Sequence, residues 1–137
     1  METKVQFKFF IIDDNFFCAN LHKQYLTNMN YNDITLFANS RDCIDNLDQN
    51  PDIIFLDHNM EDIVGLEVLK KIKSYNPNIY VIMVLRQESI KTVVDALKFG
   101  AFDYLIKGND VNEKMTMIIT KIITIREQLK KNMFGFN

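Results

Sequence analysis

The sequence predicts an α/β fold, a parallel β-sheet with helices packed on both of its faces. Short apolar runs of strand length alternate along the chain with longer segments in which apolar residues recur with the period of a helix. The connections between these segments are short, and no repeat or Pro/Gly-rich linker interrupts the alternation. Short connections of this kind favour right-handed crossovers between parallel strands.

Five strands are expected, because five runs rich in Val, Ile and Phe have the length of a strand. These runs cover residues 5–12, 34–37, 53–56, 80–85 and 102–106. Between them, four sets of apolar residues have helical spacing, and each set predicts one helix. The four sets are Phe17, Leu21 and Tyr25; Cys43, Ile44 and Leu47; Leu66, Leu69 and Ile72; and Ile90, Val93, Val94 and Leu97.

Residues that start or stop helices stand where this alternation needs them. Ser40 and Ser89 are expected N-caps of the second and fourth helices. Pro77 follows the third helix, and Gly100 stands where a C-terminal glycine cap ends the fourth. These signals agree with the helical periods.

A fifth and longest helix is predicted near the C-terminal end of the sequence. Its apolar residues follow one another at steps of four and three: Val111, Met115, Ile118, Ile122, Ile125 and Leu129. In one interpretation this seam packs on the sheet, and Ile119 and Ile123 widen its apolar face. In the other it is a dimer seam, or it leads to a further domain.

The composition is that of a globular domain. The 137 residues suit one domain, and 47% hydrophobic with 25% charged residues excludes a disordered or collagen-like chain. A net charge of −2 lacks the positive excess that nucleic-acid binding usually requires. The apolar runs are far shorter than the ~18 residues that span a bilayer, and the first residues lack a signal-peptide pattern. We therefore expect a soluble domain without direct contact to nucleic acid or membrane.

Cys18 and Cys43 have no metal-ligand spacing with each other or with His22 and His58. Two thiols are also too few for a disulfide scaffold. The cysteine content therefore fits a reducing cytoplasm.

Acidic residues follow two of the predicted strands. Asp13 and Asp14 come directly after the first run, and Asp57 follows the third. If these strands are neighbours, their carboxyl ends bring three carboxylates to one edge of the sheet. Two unit charges 4 Å apart repel by ~4 kcal/mol at an effective dielectric constant of about 20, and oxygen ligands favour Mg²⁺ or a similar hard cation. The other interpretation is that Asp14 or Asn15 only caps the first helix, but capping does not explain Asp57.

Lys107 ends the fifth apolar run and would bring one cation to the same edge. Alone, such a lysine is usually a solvated loop charge. Beside three carboxylates and a metal ion, an ammonium can neutralise the charge of a transferred phosphoryl group. The chemistry suggested is attack of one carboxylate on phosphorus, which gives an acyl phosphate.

The sequence resembles the receiver domain of two-component response regulators. Three ordered motifs carry the resemblance: FFIIDDN at residues 9–15, PDIIFLD at 51–57 and GAFDYLIK at 100–107. It covers residues 4–131, and it implies a flavodoxin-like sheet of five parallel strands in the order 2-1-3-4-5 with five helices. We expect a single receiver domain over residues 1–137, with residues 132–137 as a tail or the start of a linker.

The resemblance also implies roles for individual residues. Asp57 would accept a phosphoryl group from a sensor histidine kinase or a histidine phosphotransfer protein, and Lys107 would pair with Asp57 or its phosphate. Mg²⁺ would be bound by the side chains of Asp14 and Asp57, by the backbone carbonyl of Asn59, and by Asp13 mainly through water. Tyr104 would be the aromatic switch residue, although local packing of a strand-face aromatic is the other interpretation. The fourth helix, fifth strand and fifth helix would exchange partners or form a homodimer.

Two positions at the end of the fourth strand depart from the family pattern. Leu85 replaces the Ser or Thr switch residue whose hydroxyl binds the phosphoryl group, and a hydrogen bond to a charged group is worth roughly 1.5–3 kcal/mol. Arg86 stands beside it at a position that is usually small. One hypothesis is that its guanidinium partly replaces the missing donor, and the other is that it points into solvent.

Further departures lie in the loops. Gly108 replaces a proline after Lys107, which removes the family's cis peptide, and Glu61 replaces a proline in the loop after Asp57. Asn59 and Gln87 occupy positions that tune hydrolysis of the acyl phosphate in the family. Both amides can hold a water molecule, although ordinary surface polarity explains them equally well.

The sequence thus favours a Mg²⁺-dependent phosphoacceptor that acts as a signalling switch and not as a turnover enzyme. The alternative is a receiver-like interaction module whose output does not depend on phosphate, suggested by Leu85 and Gly108. A metal-dependent phosphatase is disfavoured, because the first strand lacks an Asp-x-Asp pattern.

Overall fold

A computed structural model describes residues 5–87, 89–108 and 110–133 of the chain. Its sheet has five parallel strands in the order β2-β1-β3-β4-β5, which confirms the predicted fold and strand order. The strands are β1 (Phe9–Ile12), β2 (Ile34–Phe37), β3 (Ile53–Asp57), β4 (Tyr80–Leu85) and β5 (Asp103–Ile106). The helices are α1 (Phe16–Asn28), α2 (Ser40–Asp45), α3 (Gly65–Tyr75), α4 (Ile90–Lys98) and α5 (Val111–Met133), with a short 3-10 helix at Leu47–Gln49.

The sheet is buried on both faces, because successive strand residues point to opposite sides. On β1, Phe10 and Ile12 join a core with α2, α3 and α4, whereas Phe9 and Ile11 join a second core with α1 and α5. The central strands β1, β3 and β4 are almost entirely apolar for this reason, and their one acidic residue, Asp57, is the last residue of β3.

Three predicted strand ends differ from the structure, and in the fifth strand the difference is one residue, because that strand begins at Asp103 and not at residue 102. The first strand begins at Phe9 and not at residue 5, because the backbone N–H of Lys8 donates to the Asp52 carboxylate and not to a neighbouring strand (2.8 Å). The third strand extends through Asp57, which pairs in register with Val84 of β4.

Ser89 caps α4 as predicted, and Asn15 caps α1 by accepting the N–H of Cys18 (3.0 Å). The prediction of Ser40 as a cap was wrong. Asn39 caps α2 by accepting the N–H of Asp42 (2.8 Å), while the buried Ser40 hydroxyl donates to the carbonyl of Ile63 (3.2 Å).

The apolar seam of α5 packs on the sheet along the first half of the helix, where Val111, Met115, Ile118 and Ile122 are buried. Ile125 and Leu129 continue the seam beyond the sheet with 37% and 58% of their surface exposed. The helix reaches Met133, so only the end of the predicted tail at 132–137 lies outside the described residues. No helix in the described ranges combines the length and the apolar character needed to cross a membrane.

Candidate functional site

The candidate site lies at the carboxyl edge of the sheet, where β1, β3 and β5 end. Because Ile12 of β1 pairs with Leu56 of β3, the residues that follow, Asp13 and Asp57, come to the same edge side by side. Lys107 follows β5, and its N–H donates to the carbonyl of Leu85 at the end of β4 (2.8 Å). This register places the lysine side chain within reach of both carboxylates.

Asp13, Asp14 and Asp57 form an acidic cluster. Each offers one carboxylate oxygen, and the three oxygens lie within 4.8 Å of one another. Asp13 and Asp57 are only 4% and 1% exposed, whereas Asp14 faces solvent. Two of the three carboxylates are therefore buried, and the third is open to solvent.

Lys107 is the counter-ion of the two buried acids. Its Nζ lies 3.1 Å from Asp13 Oδ2 and 3.4 Å from Asp57 Oδ2. Burial by itself lowers the pKa of Lys107, but the Asp57 and Asp13 carboxylates outweigh burial and raise that pKa above its usual value. Lys107 thus remains protonated beside the acids at any physiological pH.

The loop backbone holds the other oxygen of each buried acid. Asp13 Oδ1 accepts the N–H of Asn15 (2.9 Å), and Asp57 Oδ1 accepts the N–H of Asn59 (3.1 Å). Asp13 Oδ2 is buried without a hydrogen bond from any described residue, although it is ion-paired with Lys107.

These residues fit a hard divalent cation. The donors are carboxylate oxygens, one of them buried without a hydrogen bond, and a single lysine faces three negative charges. The charge balance and the donor chemistry therefore both favour a cation such as Mg²⁺ over a softer metal.

A glycine brings the loop after β3 close to α3. A Cβ built on Gly65 would lie 2.7 Å from the Cα of His58, so this position has no space for a side chain. The N–H of Gly65 donates to the His58 carbonyl (3.2 Å), which ties the start of α3 to the residue after Asp57.

The remaining predicted site residues are spread around this cluster. Asn59, Arg86 and Gln87 are exposed, and with Leu85 they line a cavity of about 490 Å³ between the site and α4. Within the ranges that the structure covers, no ion pair or hydrogen bond joins Arg86 to the cluster.

The two predicted switch residues lie deeper than the exposed residues of the cavity wall. Leu85 is buried in the core that contains α4, and the partly buried Tyr104 packs against the same core. The ammonium of Lys114 lies 5.4 Å from the centre of the Tyr104 ring. Gly108 has φ of +117°, a conformation that proline cannot adopt, and no cis peptide occurs in the described chain.

Sequence reasoning missed several residues near the site. His22 is buried on α1, and its pKa is lowered by burial, which the negative charge of Asp13 opposes. Asp62 accepts the N–H groups of Ser40 (3.1 Å) and Arg41 (3.0 Å), so it ties the loop after β3 to α2. The spacing of Ala19, His22 and Leu26 is helical and could have identified His22, but no sequence signal links Asp62 with α2.

The expected apolar faces of α1 and α4 were partly wrong. Phe17 is 72% exposed and Phe16 82%, while Ala19, His22 and Leu26 are buried instead. On α4 only Ala96 is buried, and Ile90, Val94 and Leu97 are exposed. Both helices therefore present apolar side chains to solvent near the site.

Comparison with known families agrees with this geometry. Residues 9–119 match the family described as Response regulator receiver domain. The chain belongs to the response regulator receiver family. Receiver domains are the signalling modules of two-component systems, where they interact with histidine kinases or phosphotransfer proteins, and they generally bind Mg²⁺.

Curated relatives of this receiver are regulators of greater length. The luminescence regulatory protein LuxO of Vibrio campbellii is 35% identical over 121 residues, which are 88% of this chain and 26% of LuxO. The DNA-binding transcriptional regulator NtrC of Proteus hauseri is 37% identical over 84 residues, which are 61% of this chain and 18% of NtrC. The receiver thus spans about a quarter of the LuxO proteins that it matches.

Solved structures show the same fold. The signal receiver domain of a LuxO repressor protein from Vibrio parahaemolyticus superposes with a TM-score of 0.79 at 25% identity, covering 91% of this chain and 98% of that chain. CheY in a CheX-CheY-BeF3-Mg+2 complex from Borrelia burgdorferi gives 0.78 at 27% identity, covering 85% and 89%.

Proposed function

We propose that this receiver accepts a phosphoryl group on Asp57 from a sensor histidine kinase or a histidine phosphotransfer protein, and that phosphorylation switches a partner-binding surface. The observation that carries the proposal is that three carboxylates and Lys107 meet at one edge of the sheet. In this role the domain turns over only its own phosphoryl group. A cytoplasmic location is part of the proposal, and the free thiols of Cys18 and Cys43 are consistent with it.

Asp57 is the proposed nucleophile. Its carboxylate attacks the phosphorus atom of a phosphorylated imidazole, the P–N bond breaks, and the electron pair stays on the imidazole nitrogen, which takes up a proton. The buried position of Asp57 and its hydrogen bond from Asn59 fix the direction of attack before the donor arrives.

Three side chains and one backbone carbonyl are proposed to bind Mg²⁺: those of Asp13, Asp14 and Asp57, and the carbonyl of Asn59, with Asp13 acting mainly through water. The bound cation would supply positive charge against the phosphoryl oxygens. Lys107 would move its hydrogen bond from the Asp57 carboxylate to a phosphoryl oxygen. The similar CheY structure, from a CheX-CheY-BeF3-Mg+2 complex, supports such a site.

Phosphotransfer needs a docking surface beside Asp57. Phe16 and Phe17 at the start of α1 are strongly exposed, and only Asn15 separates them in the sequence from Asp14 of the acidic cluster. Large exposed aromatic side chains are favourable anchors in protein interfaces. They support docking of the phosphodonor protein on this face.

We assign the tuning of acyl-phosphate hydrolysis to Asn59 and Gln87, and a contact with the phosphoryl group to Arg86. All three line the cavity beside the site, and their side chains carry hydrogen-bonding groups that suit a phosphoryl group or its attacking water. Arg86 is proposed to supply part of the charged hydrogen bonding that Leu85 lacks. Its exposure in this structure means that it must turn inward after phosphorylation.

The switch is proposed to act through Leu85 and Tyr104 on the surface of α4, β5 and α5. Leu85 and the partly buried Tyr104 belong to one core with Ala96 of α4. The exposed apolar residues of α4 are Ile90, Val94 and Leu97, and they provide an area for a partner or a second receiver.

Acetyl phosphate with Mg²⁺ tests the proposal directly. The intact mass of the protein should rise by one phosphoryl group, and the gain should be absent without Mg²⁺ and in Asp57→Asn. A parent protein that gains no mass would contradict phosphoacceptor function and favour a phosphate-independent interaction module.

A further inference from the structure

A second cavity, of about 430 Å³, opens at the edge of the sheet opposite the acidic cluster. It lies where β4 and β5 begin, between the end of α3 and the later turns of α5. Its wall includes Lys73, Tyr80, Phe102, Arg126 and Leu129. The volume is within the range of small-molecule sites, and none of the functions proposed above uses it.

Lys73 brings a charge without a carboxylate partner to this cavity. Its Nζ donates to the carbonyls of Pro77 (2.6 Å) and Ile79 (2.9 Å), and an ammonium has three N–H donors. No carboxylate of the described chain lies within ion-pair distance of it. Burial also lowers the pKa of Lys73, and no carboxylate opposes that shift.

Arg126 provides a second cation on the α5 side. Its Nη2 donates to Asp52 Oδ1 (3.0 Å), which leaves further donors of the guanidinium for another acceptor. The guanidinium carbon lies 5.2 Å from the Phe7 ring centre and 5.7 Å from that of Tyr80, so aromatic packing holds its plane. Lys73 and Arg126 carry two positive charges and Asp52 carries one negative charge, so the three side chains have a net charge of plus one.

The rest of the wall is mainly aromatic and aliphatic. Tyr80 and Phe102 meet edge to face, with ring centres 5.3 Å apart. Ile79, Ala101 and Leu129 add aliphatic surface beside them. A ligand that fits this wall has a planar apolar body and one negative charge.

We propose that this cavity binds a small organic monoanion with a flat apolar body, such as an aromatic carboxylate. The carboxylate accepts hydrogen bonds from Lys73 and Arg126, and the ring packs against Tyr80 and Phe102. The site shares no residue with the acidic cluster and lies at the opposite ends of the strands.

The probe is 1-naphthoate, titrated into the intact isotope-labelled protein and followed by amide chemical shifts. We expect saturable shifts at the cavity, including the amides of Gly100 and Ala101. The neutral analogue 1-naphthamide should bind about tenfold more weakly or worse, because it lacks the charge that the cations compensate. Lys73→Met should lose affinity to a similar degree, while Lys71→Met, on the same helix but outside the cavity wall, should bind like the parent.

A matched pair at Leu129 avoids the risk that Lys73→Met fails to fold. Leu129 is 58% exposed, so Leu129→Glu and Leu129→Gln should both fold, and they differ in charge but hardly in size. Only Leu129→Glu should weaken binding of 1-naphthoate by roughly tenfold relative to Leu129→Gln. Equal binding by the two variants, equal binding of naphthoate and naphthamide, or shifts at the Asp57 edge alone would each overturn the proposal.

Discussion

Lys107 balances two buried carboxylates, and this is the residue-level feature on which the metal-free site depends. The Lys107 side chain is 17% exposed to solvent and pairs with both Asp13 and Asp57. Replacing Lys107 by methionine leaves these two carboxylates without a cation. We expect Lys107→Met to lower the free energy of unfolding by about 3 kcal/mol without metal, because breaking a buried ion pair leaves uncompensated charge. Chemical denaturation measures this loss.

The control for Lys107→Met is Lys121→Met, because Lys121 is a more exposed lysine that pairs with Asp103 at 3.7 Å. An exposed pair contributes about 1 kcal/mol or less, so the control should change little. Added Mg²⁺ should restore more stability to Lys107→Met than to the control. Equal losses in the two variants would contradict the assigned role of Lys107.

His22 makes stability depend on pH. Burial lowers its pKa below the ordinary value of 6.5, the nearby Asp13 and Asp57 charges oppose this shift, and Lys107 reinforces it. Just below pH 6.5 the unfolded chain therefore binds a proton that folded His22 does not, and stability falls as the pH drops. In metal-free protein, the free energy of unfolding should fall less from about pH 7 to about pH 5.5 in His22→Leu than in the parent. Parallel curves would show that His22 does not contribute.

At the scale of elements, Asp62 connects the loop after β3 to the start of α2. Burial raises the pKa of Asp62, but the N–H donors of Arg41 and Ser40 outweigh burial and hold that pKa below its usual value. Asp62→Ala removes these acceptors, and loss of a helix cap costs about 1 kcal/mol. The amides of Ser40 and Arg41 should then exchange hydrogen roughly fivefold faster.

Glu61→Ala provides a matched control for Asp62→Ala, because Glu61 is an exposed neighbour in the same loop. It should leave exchange at Ser40 and Arg41 unchanged. If both variants accelerate hydrogen exchange equally, any substitution loosens the loop. That outcome would contradict a specific connection between the loop and α2 through Asp62.

Helix α4 exposes apolar residues that the amphipathic pattern placed in the core. Val94 is 55% exposed, between Ile90 and Leu97 on the same side of the helix. We expect phosphorylated protein to self-associate through this side, and Val94→Glu to remain monomeric in sedimentation while taking up phosphate at the parent rate. A dimer that persists in Val94→Glu would place the interface elsewhere.

The sequence predicted where the strands and helices lie along the chain far better than it predicted which side of each helix is buried. Five strands and five helices were predicted, because apolar runs and helical periods are local properties. The buried side of α1 depends on where the helix meets the sheet, so Phe17 was expected inside and His22 is found there. Asn39 and Ser40 are both good caps, and only the tertiary bond of Ser40 to Ile63 decides between them.

For the whole molecule, the strand order decides whether the acidic residues form a site. Local pattern predicts that Asp13, Asp14 and Asp57 end their strands, but β1 and β3 are neighbours only in the order that the family resemblance supplied. The contacts of Lys107 follow from the same order, because β5 lies beside β4 and β4 beside β3. The cavity between Lys73 and Arg126 could not be predicted, since its walls come from α3, β4, α5 and the loops before β4 and β5, which only the tertiary fold brings together.

Asp57 is the one carboxylate of the three in the acidic cluster that we propose to be reactive. After phosphorylation with acetyl phosphate and Mg²⁺, borohydride reduction converts an acyl phosphate on aspartate to homoserine, which peptide mass spectrometry locates. We expect homoserine at position 57 alone. Homoserine at position 13 or 14, or none at all in protein that has gained phosphate, would contradict it.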